Sequence, residues 1–267
     1  MSYWDALPER YRVILCDIWG VVHDGVDLYP NAARRLAEWR GEGRTVVLIT
    51  NAPRTAEAVA QQLARIGLER DAWDGIATSG EAGIAALLDL DAPVGFVGTG
   101  ADRAILEGRS VVIAADEDFT DFACTGITEA RPRVEQYRDD LARWVARGVV
   151  VHCLNPDRVV IRGGVPEPCA GALADVYEQL GGRVCWYGKP HPAIYHHALH
   201  LAGDPEKTAV LAVGDSLQTD ILGAARMGID AVFVRNGISA GATFPTNFGA
   251  ENGLGDWQPV AVVDGLA

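Results

Sequence analysis

Four stretches of the sequence carry side chains that could do chemistry, and each comes at the end of an apolar run or just before a helix. These side chains are Asp17, Thr50 with Asn51, Lys189, and Asp215 with Asp220. Carboxylate oxygens are the ligands that Mg²⁺ selects, whereas a hydroxyl, an amide and an ammonium suit a phosphate group. One aspartate free to attack, with others holding a metal, would make a covalent aspartyl-phosphate route possible. Each residue alone also fits a role as cap, turn or surface charge, but four such positions do not share that explanation easily.

The segment Arg12 to Gly25, which reads RVILCDIWGVVHDG, indicates how the first of these side chains is positioned. Val13, Ile14 and Leu15 are all apolar and do not alternate with polar residues. This pattern predicts a strand that is buried on both faces of a parallel sheet. Asp17 would then lie at the carboxyl edge, where open α/β sheets place their ligands. An aspartate there can equally cap the next helix. From this segment alone, a ligand-binding aspartate and a helix-capping aspartate are equally good interpretations.

The flanking sequence predicts alternating strands and helices. A helix is expected from Asn31 to Gly41. A second is capped by Thr55 and ends at Gly67, and a third covers Glu81–Leu88. Strands are expected at Thr45–Thr50, Ile76–Thr78, Ala209–Val213 and Ala231–Val234, with a helix at Thr219–Met227 and one late apolar stretch at Val260–Val263. This order predicts a doubly wound parallel α/β sheet.

The pattern changes at about Asp89, where shorter predicted strands follow one another closely. These strands are Val94–Val97, Val111–Ala114, Phe122–Thr125, Val149–Leu154 and Val159–Arg162, with one long helix pattern at Val134–Arg147. We therefore predict that residues 89–184 form a second α/β unit, inserted into a domain made of residues 1–88 and 185–267.

Composition excludes several classes of partner. The 267 residues carry a formal charge of −13, which argues against nucleic acid and against an anionic membrane surface. No apolar run approaches the roughly 20 residues of a spanning helix, and the first residues do not resemble a signal peptide. The five cysteines are scattered without CxxC pairing, which favours reduced thiols. A cytoplasmic protein is expected.

Four motifs in this order resemble the signature motifs of the haloacid dehalogenase superfamily: DIWGVVHDG, LITN, YGKPHPAIY and VGDSLQTD. The chain is more closely similar to subfamily IIA, the NagD-like and p-nitrophenylphosphatase-like enzymes, whose cap domain is inserted between the second and third motifs. The resemblance implies a Rossmann-like core with a C2-type α/β cap, a small phosphorylated substrate and Mg²⁺ as cofactor. It also allows a homodimer formed through the cap.

The resemblance implies a metal site built from three residues. Asp17 would be both the nucleophile and a Mg²⁺ ligand, Asp215 would bind the metal directly, and the backbone carbonyl of Trp19 would complete the protein ligands. Asp220 would be a charge partner of this site or of Lys189.

The resemblance also implies a set of substrate contacts. Thr50 would hold the transferring phosphoryl group with Asn51 beside it, and Lys189 would neutralise the charges of nucleophile and phosphate. Asn155 and Asp157 belong to an Asn-Pro-Asp segment that relatives carry in the cap. They are therefore candidate substrate contacts.

Trp19 departs from the pattern, because phosphatases of this superfamily carry a second aspartate at that position. An indole cannot shuttle a proton, so acid–base help worth about 10²- to 10⁴-fold should be missing. His23 and Asp24 could substitute, although an ordinary exposed loop pair is the simpler expectation. Three hypotheses stay open: a slow phosphatase, a dehalogenase- or phosphonatase-like enzyme, and a catalytically weak ligand-binding protein.

Overall fold

The computed structural model describes residues 3–162 and 165–267, which form two compact units. The first unit comprises residues 3–50, Ala56–Ala77 and Lys189–Ala267, and the second comprises Asn51–Thr55 and Thr78–Gly188. The predicted insertion, residues 89–184, lies within the second unit. Within the described residues, no helix combines the length and apolar character needed to cross a membrane.

The strands and helices alternate along most of the chain. The strands are β1 (Val13–Asp17), β2 (Thr45–Thr50), β3 (Gly75–Thr78), β4 (Gly95–Val97), β5 (Asp121–Cys124), β6 (Val150–Cys153), β7 (Val159–Arg162), β8 (Val165–Pro168), β9 (Arg183–Trp186), β10 (Val210–Gly214), β11 (Asp230–Val234) and β12 (Ala261–Val263). The α-helices are α1 (Ala32–Gly41), α2 (Ala56–Arg65), α3 (Ser79–Leu88), α4 (Gly100–Gly108), α5 (Arg138–Ala146), α6 (Ala170–Gln179), α7 (Pro192–Leu201), α8 (Leu222–Met227) and α9 (Phe248–Glu251).

The first unit is built on a six-stranded sheet in the order β12-β11-β10-β1-β2-β3. The pairs that β1 forms with β2 and with β10 are parallel. The chain proceeds outward in one direction from β1 to β3 and in the other from β10 to β12. The boundary between β1 and β10 is therefore a topological switch point, where sheets of this kind bind ligands.

Every residue of β1 is buried, as its unbroken apolar run predicts. Val13 and Leu15 belong to the same apolar core as Ile194 and Tyr195 of α7. This double burial fixes β1 in the middle of the sheet, and so fixes the position at which Asp17 leaves it.

The second unit has its own parallel sheet, β4-β5-β6-β9, and a separate antiparallel hairpin formed by β7 and β8. Its core contains Phe122, Trp144 and Tyr177, and the rings of Phe122 and Trp144 lie 4.7 Å apart between centroids. A unit with its own sheet and core is what the predicted insertion requires.

The predicted fold class, a doubly wound parallel sheet with a second α/β unit, is confirmed. The predicted strand at Val111–Ala114 is wrong, since only Ile113 makes an isolated bridge, to Val94. Val112 is 63% exposed, so this segment lacks the packing that would extend the pairing. The long helix predicted at Val134–Arg147 divides into a 3₁₀ turn, Val134–Tyr137, followed by α5.

Candidate active site

The switch point places two aspartates on neighbouring strands. Asp17 is the last residue of β1, and Asp215 directly follows β10. The register pairs Cys16 with Val213, so both strands end at the same level of the sheet. Both carboxylates are buried. The two strand ends named from the sequence therefore converge as predicted.

Lys189 lies between two of the carboxylates. It is only 4% exposed, and its ammonium nitrogen donates hydrogen bonds to Oδ1 of Asp17 and, at 2.6 Å, to Oδ1 of Asp220. It also donates to the carbonyl of Ile49 at 3.4 Å. Ile49 is paired with Asp17 across the sheet, and Thr50 is the next and last residue of β2. The ends of β1 and β2 therefore lie side by side.

Burial and charge shift the pKa values of this pair. Burial and, after it, the charge of Asp220 raise the pKa of Asp17 well above its usual range, and the ammonium of Lys189 opposes this only in part. Burial alone would lower the pKa of Lys189, but the charges of Asp17 and Asp220 outweigh it and raise that pKa well above its usual range. Lys189 therefore stays an ammonium, and the site holds more carboxyl groups than cations.

Asp220 is oriented by its own loop. It lies on a π-helical turn, Leu217–Ile221, which overlaps the start of the helix predicted at Thr219–Met227. Its Oδ2 accepts the backbone N–H of Ser216 at 3.1 Å, which leaves Oδ1 for Lys189. The hydroxyl of Tyr195 donates to its backbone carbonyl at 3.1 Å. Tyr195 was not singled out from the sequence, although its place on the apolar face of α7 could have suggested it.

Two glycines press against the carboxylate of Asp215. A Cβ added at Gly20 or at Gly237 would overlap that carboxylate, and both residues have positive φ, +91° and +51°. Gly20 belongs to the loop after β1 and Gly237 to the loop after β11. The sequence gives no local signal for Gly237, because its role comes from a contact with a distant residue.

Asp17, Asp215 and Asp220 form a group that could hold a metal ion. One carboxylate oxygen from each lies within 4.8 Å of the others. Among residues 3–162 and 165–267, this is the one group of at least three His, Cys, Asp or Glu side chains with that geometry. Of the five cysteines, Cys16, Cys124, Cys153 and Cys169 are buried and Cys185 is partly exposed.

Asn51, Asn155 and Asp157 meet one another in the second unit. The side-chain amide of Asn51 donates to Oδ1 of Asp157 at 2.8 Å, and the backbone N–H of Asp157 donates to Oδ1 of Asn155 at 3.2 Å. A Cβ at Gly188 would overlap Pro156 and the amide oxygen of Asn51. The Asn-Pro-Asp segment is therefore a fixed turn that is bound to Asn51.

The loop after Asp17 offers little acid–base help. Trp19 is 43% exposed, whereas His23 is 2% exposed, against the expectation of an exposed loop pair. Burial lowers the pKa of His23, and its Nδ1 accepts the backbone N–H of Gly25 at 2.8 Å. Asp24 is exposed, and hydrogen bonds from the backbone N–H groups of Asp27 and Val26 lower its pKa. Both groups are therefore engaged in holding the loop.

Comparison with known proteins agrees with this geometry. Residues 14–112 match the haloacid dehalogenase-like hydrolase family, and residues 186–267 match a HAD-hydrolase-like family. The chain is 32% identical to the ribonucleotide monophosphatase NagD of Escherichia coli K12 over 232 residues, covering 85% of this chain and 88% of that protein. It is 26% identical to the acid sugar phosphatase of Staphylococcus aureus USA300 over 238 residues, covering 86% and 89%.

A solved structure extends the agreement over nearly the whole chain. The haloacid dehalogenase-like hydrolase of Brucella suis 1330 is 32% identical, with a TM-score of 0.85 and 98% coverage of both chains. This chain therefore belongs to the haloacid dehalogenase superfamily of hydrolases, in its NagD-like subfamily IIA, and is a phosphatase.

Proposed function

We propose that this phosphatase is Mg²⁺-dependent and hydrolyses a small phosphorylated metabolite through an aspartyl-phosphate on Asp17. The observation that carries the proposal is the buried ammonium of Lys189, which binds Asp17 and Asp220 beside the carboxylate of Asp215. A carboxylate that a cation holds at the end of a central strand is a suitable nucleophile. It is already in position to attack, so no conformational freedom has to be lost in each reaction.

The donor set fits a magnesium ion. Three buried carboxylates lie close together, and two of them, those of Asp17 and Asp220, bind the ammonium of Lys189. Such hard oxygen ligands are those that Mg²⁺ prefers. Asp17, Asp215 and the backbone carbonyl of Trp19 would hold the ion. When bound, the ion would neutralise charge on the phosphoryl group and on the nucleophile.

The steps of the reaction use residues of this chain. A carboxylate oxygen of Asp17 attacks phosphorus, the ester P–O bond breaks, and the leaving oxygen departs with its electron pair. Water then attacks the aspartyl-phosphate, which restores the carboxylate and releases inorganic phosphate. Lys189 holds Asp17 in place, while Thr50 and Asn51 would bind the phosphoryl oxygens, and Asn155 and Asp157 stay predicted substrate contacts.

Trp19 makes slow turnover the expected behaviour. Its indole N–H is too weakly acidic to protonate the leaving oxygen, and both His23 and Asp24 are engaged by their own loop. Phosphate esters with good leaving groups should therefore be preferred. The phosphatase names of the relatives favour this activity over the dehalogenase- or phosphonatase-like alternative.

The test compares two aspartate variants that each lose one negative charge. Asp17→Asn should abolish Mg²⁺-dependent hydrolysis of p-nitrophenyl phosphate, whereas Asp27→Asn, at an exposed position in the same loop, should leave it unchanged. Chelation of Mg²⁺ by EDTA should stop the reaction of the unaltered protein. Hydrolysis that survives in folded Asp17→Asn, or that is indifferent to EDTA, would overturn the proposal.

A further inference from the structure

Trp19 is the largest exposed apolar side chain of the loop after β1, in which Val26 is also exposed. Its immediate neighbour Ile18 is buried, as are Val21 and Val22, yet 43% of Trp19 faces solvent. Covering a large aromatic side chain with another apolar group removes apolar surface from water, which is favourable. The exposed indole is therefore available to contact a bound substrate.

The indole is held in one orientation. A Cβ at Gly25 would overlap its six-membered ring, so the ring lies directly on the Gly25 backbone. The His23 ring contacts it edge to face, with centroids 5.2 Å apart and planes at 72°. His23 is fixed in turn by the N–H of Gly25 and by its own carbonyl, which accepts the N–H of Gly20 at 2.9 Å. The exposed part of the indole is thus a rigid surface, formed before any ligand arrives.

This surface belongs to the loop that borders the carboxylate group of the first unit. Trp19 is two residues after Asp17, and its neighbour Gly20 packs so closely on Asp215 that an added Cβ would overlap the carboxylate. The ring is thus carried by the loop that leaves the proposed nucleophile, and we expect a group attached to phosphorus at Asp17 to meet it.

We propose that Trp19 is a specificity-determining residue that stacks on a planar, conjugated leaving group, so that the preferred substrates are phosphate esters of phenols or enols. The proposal rests on the phosphatase function proposed above. Two properties of the residue point to the same class of ester. An indole supplies no proton, so the leaving oxygen must be stable as an anion, and conjugation provides that stability. An indole face binds planar π systems better than it binds saturated groups.

The test uses two esters whose leaving groups have similar acidity but differ in shape: phenyl phosphate and hexafluoroisopropyl phosphate. Their ratio of kcat/KM in favour of the phenyl ester should fall about threefold to tenfold in Trp19→Leu and should be retained in Trp19→Phe. Both variants keep the backbone carbonyl and lack an acid, so they differ only in the aromatic face. An unchanged ratio in Trp19→Leu would overturn the proposal.

A binding measurement on the unaltered protein does not depend on how well the variants fold. With Mg²⁺ present, phenylphosphonate should raise the melting temperature more than cyclohexylphosphonate, which has a similar size but no π face. Equal shifts would overturn the proposal.

The Asp17→Asn variant distinguishes a failure of the proposed role of Trp19 from a failure of the proposed function. If that variant is inactive and the Trp19→Leu ratio is unchanged, only the role of Trp19 fails. If that variant hydrolyses both esters normally, the proposed function fails, and the inference fails with it.

Discussion

Lys189 and Asp220 are joined by a 2.6 Å hydrogen bond between the ammonium nitrogen and Oδ1, although 31 residues separate them in the chain. The same nitrogen binds Asp17 and the carbonyl of Ile49, so one buried cation links the ends of β1 and β2 to the π-helical turn before α8. Such a group stabilises the fold only while it is complete, since a buried charge that loses its partner is costly.

Replacement of Lys189 by methionine should therefore affect both stability and activity. It leaves buried carboxylates without their ammonium, and the free energy of unfolding should fall by about 3–5 kcal/mol without divalent cation. Lys207, the only other lysine in the sequence, is exposed, and Lys207→Met should change stability by less than about 0.5 kcal/mol. Urea unfolding of the two variants measures the difference. Equal stabilities would show that Lys189 does not neutralise the carboxylates.

Asp215 should have opposite effects on stability with and without the metal. Without a divalent cation its charge repels Asp17, so Asp215→Asn should raise the melting temperature in EDTA. In excess Mg²⁺ the unaltered protein should gain stability by ligand binding, whereas the variant should gain much less. Asp256→Asn is the control, because it removes the same charge at an exposed position. A variant that Mg²⁺ stabilises as fully as the unaltered protein would exclude Asp215 as a ligand.

Tyr11 should make the protein sensitive to alkali. Burial, and then its hydrogen bond to Asp230 at 2.7 Å, raise the pKa of Tyr11 from its ordinary 10.0 to about 12. Since the folded state holds the neutral phenol, this contribution to stability is complete below pH 10 and is lost as the pH rises from 10 towards 12.

The measurement compares unfolding free energies of the unaltered protein and Tyr11→Phe at several pH values. The difference between them should be largest at neutral pH and should shrink across that window. A difference that stays constant up to pH 12 would mean that the phenol ionises equally in both states.

The sequence predicts the positions of the central strands well because they are buried on both faces. Thr45–Thr50 is predicted with the same bounds as β2, and the apolar run that ends at Asp17 corresponds to β1. The carboxyl ends of parallel strands share one edge of the sheet, so the meeting of Asp17 with Asp215 follows from topology alone.

Features that depend on long-range contacts were not predictable in this way. β9 is only partly buried, so it lacks the apolar run that identifies β1. The role of Gly237 lies in its contact with Asp215, and the burial of His23 follows from how the loop folds back on itself. Neither leaves a periodic signal in the sequence, because each depends on contacts that exist only in the folded loop.

Restoring an acid at position 19 is the most direct test of why turnover should be slow. Trp19→Asp should increase kcat for an alkyl phosphate, because the leaving oxygen can then be protonated as it departs. General acid catalysis contributes about 10²- to 10⁴-fold, which sets the upper limit of the gain. The gain should be smaller for an aryl phosphate, whose leaving group needs less help. Trp19→Asn has nearly the same shape and no acidic proton, so it should show no gain. If the two variants turn over the alkyl ester equally, removal of the indole accounts for the effect, and the missing acid is not what limits this phosphatase.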